Sequence, residues 1–93
     1  MPRYEVAHLR EDGQDMIIFP LDDSFEYKSE RDKHAILEEL EARAHAAGLA
    51  GTGVALWECG GRTKFIAPKP WHPFFREFGM AEALQYINVE VSW

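Results

Sequence analysis

Residues 54–67, which read VALWECGGRTKFIA, decide the fold. Two runs rich in strand-forming residues flank Gly60-Gly61, a dipeptide that adopts the positive φ angles of a tight hairpin turn. We therefore predict a β-hairpin in which Cys59 pairs with Arg62, because a two-residue turn fixes the register of the strands that it joins.

This register sorts the side chains of the hairpin onto two faces and places Trp57 directly opposite Lys64. One face is expected to belong to the core and holds Val54, Leu56, Phe65 and Ala67. The other face is expected to be half exposed and holds Ala55, Trp57, Lys64 and Ile66. The stem of Lys64 is then expected to lie over the indole.

A second hairpin is predicted at the N-terminal end, where residues 3–9 and 15–21 flank Asp12-Gly13. Pairing Glu11 with Gln14 gives the strand pair two apolar faces, which predicts that it is largely covered on both sides.

The clearest element is a helix over residues 30–47, with Ser29 as its N-cap and Gly48 as the residue that closes it. The 3.6-residue period gathers its apolar residues on one face: Ile36, Leu37, Leu40, Ala44 and Ala47. A short second helix is predicted around residues 74–78, with a further turn over 81–85, and a last strand over 86–93.

These elements predict one α+β domain over residues 1–93, a two-layer sandwich with a mostly antiparallel sheet, one long helix (30–47) and a short second helix. Without its first strand the order is βαββαβ, which suggests a ferredoxin-like variant with an extra N-terminal strand. In that fold the strand after the first hairpin turn has both edges occupied. Either the N-terminal strand displaces the C-terminal one, or the topology is a variant.

Composition limits the function classes. The chain has 93 residues, 46% of them hydrophobic, and a net charge of −6, which argues against general nucleic-acid binding. Its single cysteine excludes an intrachain disulfide and a multi-cysteine zinc site, and no stretch approaches membrane-spanning length. We expect a soluble, cytoplasmic protein with no cofactor and no membrane partner.

A patch of aromatic and basic residues is the predicted binding surface. Four bases and no acid lie between Cys59 and Arg76. The predicted contact residues are Trp57, Arg62, Lys64, Trp71, His72, Phe74 and Arg76. Tryptophan, phenylalanine and arginine are enriched at protein interfaces, and the same residues could instead pack inside the domain or stack bases.

Two weaker chemical sites remain as alternatives. One is a stripe on the helix with the side-chain types and spacing of a divalent-metal site, formed by His34, Glu38, Glu41 and His45. The other is Cys59, whose thiol Arg62 could activate, although a cysteine that fills space is the more frequent case.

Three functional hypotheses follow, and the sequence shows no catalytic set. The leading one is a small non-enzymatic interaction or regulatory module that binds another protein or itself. The alternative is a small ligand-binding protein or a cofactor-independent enzyme with an aromatic pocket and a histidine such as His8 or His72. The third is an acidic decoy, in which Asp22, Asp23, Glu26 and the helix carboxylates occupy a basic partner surface.

Overall fold

The computed structural model describes residues 3–11 and 13–92, which form an α+β fold around a five-stranded mixed sheet. The strands are β1 (Arg3–Glu11), β2 (Gln14–Pro20), β3 (Thr52–Cys59), β4 (Arg62–Ile66) and β5 (Val89–Ser92). The helices are α1 (Glu30–Ala46), α2 (His72–Glu77) and α3 (Met80–Gln85), with 3-10 helices at Asp23–Tyr27 and Lys69–Trp71. The strand order is β4-β3-β2-β1-β5.

Both predicted hairpins form in the predicted register. Cys59 pairs with Arg62 and Trp57 pairs with Lys64, while Glu11 pairs with Gln14 at the end of the first hairpin. Gly60 and Gly61 have φ angles of +59° and +80°, values that few residues other than glycine adopt. The turn dipeptide therefore fixes which side chains share a face.

The ferredoxin-like prediction is not confirmed, because β2 and β3 are direct neighbours and run parallel. A ferredoxin-like unit is a split βαβ, in which another strand separates the two strands that the helix connects. The N-terminal strand β1 instead lies between β2 and β5, so β5 pairs with β1 and not with β2. Three of the four strand pairings are antiparallel and one is parallel.

Helices cover both faces of the sheet, so the two-layer prediction is wrong. On one face, α1 and the Asp23–Tyr27 helix cover the central strands, and the cluster comprises Val6, Ile17, Phe19, Phe25, Leu37, Leu40, Ala44, Ala55, Trp57 and Val91. On the other face, α2 and α3 close the second cluster, which comprises Ala7, Met16, Ile18, Val54, Leu56, Phe75, Met80 and Ala83. The apolar character of both faces of β1 and β2 is thereby explained.

Helix α1 begins as predicted, with the Ser29 hydroxyl accepting a hydrogen bond from the backbone N–H of Asp32 at 3.1 Å. Its buried residues include Leu37, Leu40 and Ala44, and also Lys33, which the sequence pattern does not place on the apolar face. Ala47, predicted to be part of the apolar face, is exposed and follows the last helical residue.

The last strand is shorter than predicted, since Tyr86 caps α3 and β5 begins at Val89. Two predicted positions, Asp12 in the first turn and Trp93 at the end of the last strand, lie outside the described residues. Among the described helices, none is long and apolar enough to cross a membrane.

Candidate interaction surface

Trp57, predicted to be half exposed, is buried with only 3% of its surface accessible. The ring of Phe25 packs edge-on against the indole, with centroids 4.9 Å apart. The indole Nε1 donates a hydrogen bond to Oε1 of Glu26 at 2.9 Å. The 3-10 helix Asp23–Tyr27 therefore covers Trp57 with one apolar and one acidic side chain, and Trp57 is a core residue.

Glu26 is the centre of an ion cluster, a term used here for Glu26, Glu30, Lys33 and Lys64. The ammonium of Lys64 donates to Oε2 of Glu26 at 2.7 Å, and Nζ of Lys33 lies 3.9 Å from Oε1. The hydrogen bonds from Lys64 and then Trp57 lower the pKa of Glu26 below its usual 4.5. The hydrogen bond to Glu26 raises the pKa of Lys64 above its usual 10.5.

Lys33 is the buried member of this cluster, with 8% of its side chain accessible. Its ammonium lies 5.2 Å from the centroid of the Trp57 ring and 3.3 Å from Oε1 of Glu30, one helical turn earlier. A cation over an indole is attracted by the ring quadrupole, and the attraction grows as water is excluded. Lys33, rather than the predicted Lys64, is thus the residue above the indole.

An open groove of about 420 Å³ runs past the ion cluster along β4. Four consecutive residues of this strand, Thr63, Lys64, Phe65 and Ile66, line the groove with Glu26, Glu30, Lys33 and Trp57. Strand β4 is an end strand of the sheet, with β3 as its only neighbour in the strand order. The groove is therefore a feature of a sheet edge and not of a sheet face.

On the opposite side of β4, Phe65 packs against His72, with ring centroids 5.1 Å apart. The Nε2 atom of His72 is 2.9 Å from the backbone oxygen of Ala67, which positions the ring. The Thr63 hydroxyl accepts a hydrogen bond from the backbone N–H of Met80 at 3.2 Å. The β4 edge thus has an ionic side towards α1 and an aromatic side towards α2.

The structure does not bring the seven predicted patch residues together. Arg62 and Lys64 are exposed on β4, and His72 lies on the aromatic side of the same strand. Trp71 is half-buried against the second core cluster. Phe74 stacks on Phe78 with centroids 5.0 Å apart, next to Leu9 of β1 in a separate groove. Arg76 is exposed on α2.

The helix stripe proposed for metal binding is used differently. The carboxylate of Glu41 accepts a hydrogen bond from the backbone N–H of Gly53 at 2.6 Å, and Nε2 of His45 lies 2.7 Å from the oxygen of Gly51. His34 and Glu38 are exposed. Within residues 3–11 and 13–92, no three histidine, cysteine, aspartate or glutamate side chains are grouped as a metal site requires.

The remaining candidate residues also have local partners. Nε2 of His8 lies 2.8 Å from the oxygen of Ala50, so His8 and His45 both hold the loop before β3. Cys59 is partly buried at the end of β3 and packs against the first core cluster. Asp22 accepts a hydrogen bond from the backbone N–H of Ser24 at 2.9 Å, which starts the 3-10 helix and lowers the pKa of Asp22.

The chain matches no family model, no curated protein and no solved structure.

Proposed function

We propose that this protein is a small non-enzymatic interaction module that binds another protein through the outer side of β4. The observation that carries the proposal is the groove of about 420 Å³, because four consecutive residues of an end strand form its wall. Strand edges with unpaired backbone groups are templates for association with another chain.

The charges of this region favour binding to a partner. Arg62, Lys64, Lys69 and Arg76 lie in a segment of the sequence that holds no acid, whereas the whole chain has a net charge of −6. Complementary charge mainly raises the rate of association and selects among partners. Arg62 and Lys69 are exposed and lie outside the ion cluster, so both can contact a partner.

The buried aromatic residues support the surface from below. Trp57 and Phe25 hold the ionic side of the β4 edge in place, and Phe65 with His72 forms its aromatic side. Interfaces place most of their binding energy in a few rigid aromatic and arginine side chains. In this proposal Phe65 and Arg62 contact the partner, while Trp57 acts only through the fold.

Affinity capture from the cells that produce the protein tests this proposal. The wild type is compared with Arg62→Glu/Lys69→Glu and with Arg10→Glu, a matched change of an exposed arginine on β1, three strands from β4. We expect the wild type and Arg10→Glu to retain the same specific proteins, and Arg62→Glu/Lys69→Glu to lose them. Circular dichroism confirms that all three are folded. Equal capture by all three folded proteins would contradict the proposal.

A further inference from the structure

The hairpin register shows which backbone groups of β4 face outward. A two-residue hairpin turn is closed by a pair that exchanges both backbone hydrogen bonds, here Cys59 with Arg62. Alternation then directs the backbone groups of Lys64 and Ile66 towards β3 and those of Thr63 and Phe65 away from it. Among the described residues, Thr63 and Phe65 have no backbone hydrogen bond outside the β3–β4 ladder.

We propose that an extended acidic segment of a partner protein adds to the sheet along β4 as a sixth strand. This inference rests on the proposed function and specifies its mode of binding. The four outward groups of Thr63 and Phe65 supply the main-chain hydrogen bonds, and the two sides of the edge select side chains. Strand addition of this kind takes affinity from the main chain and specificity from pockets for alternate side chains.

The ionic side of the edge selects acidic residues. Arg62 and Lys64 are two residues apart, so both project to the side of the sheet that carries the ion cluster. The two carboxylates of the groove, Glu26 and Glu30, already lie within 4 Å of Lys33. Arg62 has no ion pair with another described residue, and Lys64 is 45% accessible with donors to spare beyond Glu26.

The aromatic side of the edge selects apolar residues. Phe65 is half-buried there, with His72 packed edge-on against it. Because side chains of an added strand alternate between the two sides, the segment is expected to alternate acidic and apolar residues. That pattern distinguishes it from a uniformly acidic tail.

A second copy of this chain is a poorer occupant of the same edge. Two β4 strands paired antiparallel about a two-fold axis at Thr63 would place Arg62 of each copy opposite Lys64 of the other. Like charges directly opposite one another destabilise a strand pair, and cations on an edge strand are a common device against self-pairing. The same cations favour an acidic strand.

A phage library of random nonapeptides provides an unbiased probe. The purified full-length protein is used for selection, and the enriched peptides are synthesised with a fluorophore for anisotropy titrations. We expect enriched peptides to alternate Asp or Glu with apolar residues. Arg62→Glu should weaken their binding by about tenfold or more, and the matched control Arg10→Glu by less than about twofold.

Strand addition itself is tested on the complex with the tightest of these peptides. Backbone amide exchange of Thr63 and Phe65 should slow on binding. Peptides N-methylated at every second residue should bind only when the methylated amides point away from β4. Phe65→Ala should lower the affinity for the peptide. It should leave the β3–β4 register intact, which cross-strand nuclear Overhauser effects measure.

The outcomes separate this inference from the proposed function. If cellular capture depends on Arg62 and Lys69 but the selected peptides are neutral, or leave the amides of Thr63 and Phe65 unprotected, the module stands and strand addition by an acidic segment is wrong. If no peptide is enriched, strand addition is likewise wrong. If Arg62→Glu/Lys69→Glu also captures the same proteins as the wild type, both proposals fail. If the purified protein is a dimer in which the amides of β4 are protected, the strand that adds to β4 is a second copy of this chain and not a partner protein.

Discussion

The indole of Trp57 and the carboxylate of Glu26 share a hydrogen bond of 2.9 Å between Nε1 and Oε1, although 31 residues separate them in the chain. This contact joins β3 to the 3-10 helix that precedes α1. It satisfies the polar atom of a buried indole and positions a carboxylate for Lys33 and Lys64. The ionic side of the β4 edge therefore depends on the hydrogen bond between Trp57 and Glu26.

Trp57→Ala tests the structural role of the indole. The change removes a large buried side chain and leaves Glu26 without one donor, so we expect the free energy of unfolding to fall by about 3–5 kcal/mol. Tyr27→Ala is the matched control, because Tyr27 is 86% exposed and its loss should change stability by less than about 0.5 kcal/mol. Urea unfolding followed by circular dichroism measures both. Equal effects would place the indole outside the core.

The pH dependence of stability tests the ion cluster. Because the pKa of Glu26 is lowered in the folded state, its contribution is complete above its usual value of 4.5 and is lost as the pH falls through the lowered pKa. Glu26→Gln should therefore be less stable than the wild type near neutral pH, with a shallower loss of stability in acid. Glu38→Gln, a change of an exposed glutamate on α1, should keep the wild-type slope. If the free energy of unfolding fell equally steeply in acid for the wild type, Glu26→Gln and Glu38→Gln, the stabilising role of the ion cluster would be refuted.

Gly51 tests the loop that leads into β3. Its φ of +126° suits glycine, and an added Cβ would lie 2.5 Å from the backbone oxygen of Asp15. Gly51→Ala should therefore lower the free energy of unfolding by about 1–3 kcal/mol or more. Gly48 also has positive φ but faces open space, so Gly48→Ala should cost less, about 1 kcal/mol. Thermal unfolding of the two variants measures both losses of stability. A larger loss in Gly48→Ala than in Gly51→Ala would contradict the packing of this loop against β2.

The cations of β4 are expected to prevent self-pairing of the edge. Arg62→Val removes one of them and adds a strand-forming apolar residue, so concentration-dependent oligomers should appear in sedimentation velocity. Arg10→Val makes the same change on β1 and should leave the sedimentation coefficient unchanged. Monomeric behaviour of both variants at high concentration would show that the charge on β4 has no such role.

Local sequence patterns predicted the hairpins because the information is local. Gly60-Gly61 fixes the turn, the turn fixes the pairing of Cys59 with Arg62, and alternation places Trp57 opposite Lys64. The start of α1 was predictable for the same reason, since the Ser29 cap bonds to a residue three positions away.

Features that depend on distant segments were not predicted. Trp57 is buried by Phe25 and Glu26, which belong to a short 3-10 helix without a hydrophobic period. Lys33 is absent from the apolar face predicted for the helix, although an ammonium can be buried when carboxylates and an indole surround it. The parallel pairing of β2 with β3 had a usable signal, because a helix between two strands is the usual crossover of a parallel pair.

Residue-resolved amide hydrogen exchange of the free protein tests the open β4 edge most directly. We predict that the amides of Lys64 and Ile66, directed towards β3, exchange slowly, while those of Thr63 and Phe65 exchange at least about tenfold faster. Equal protection of Thr63, Lys64 and Phe65 would show that another element already covers the edge, and the binding surface proposed for this protein would not exist.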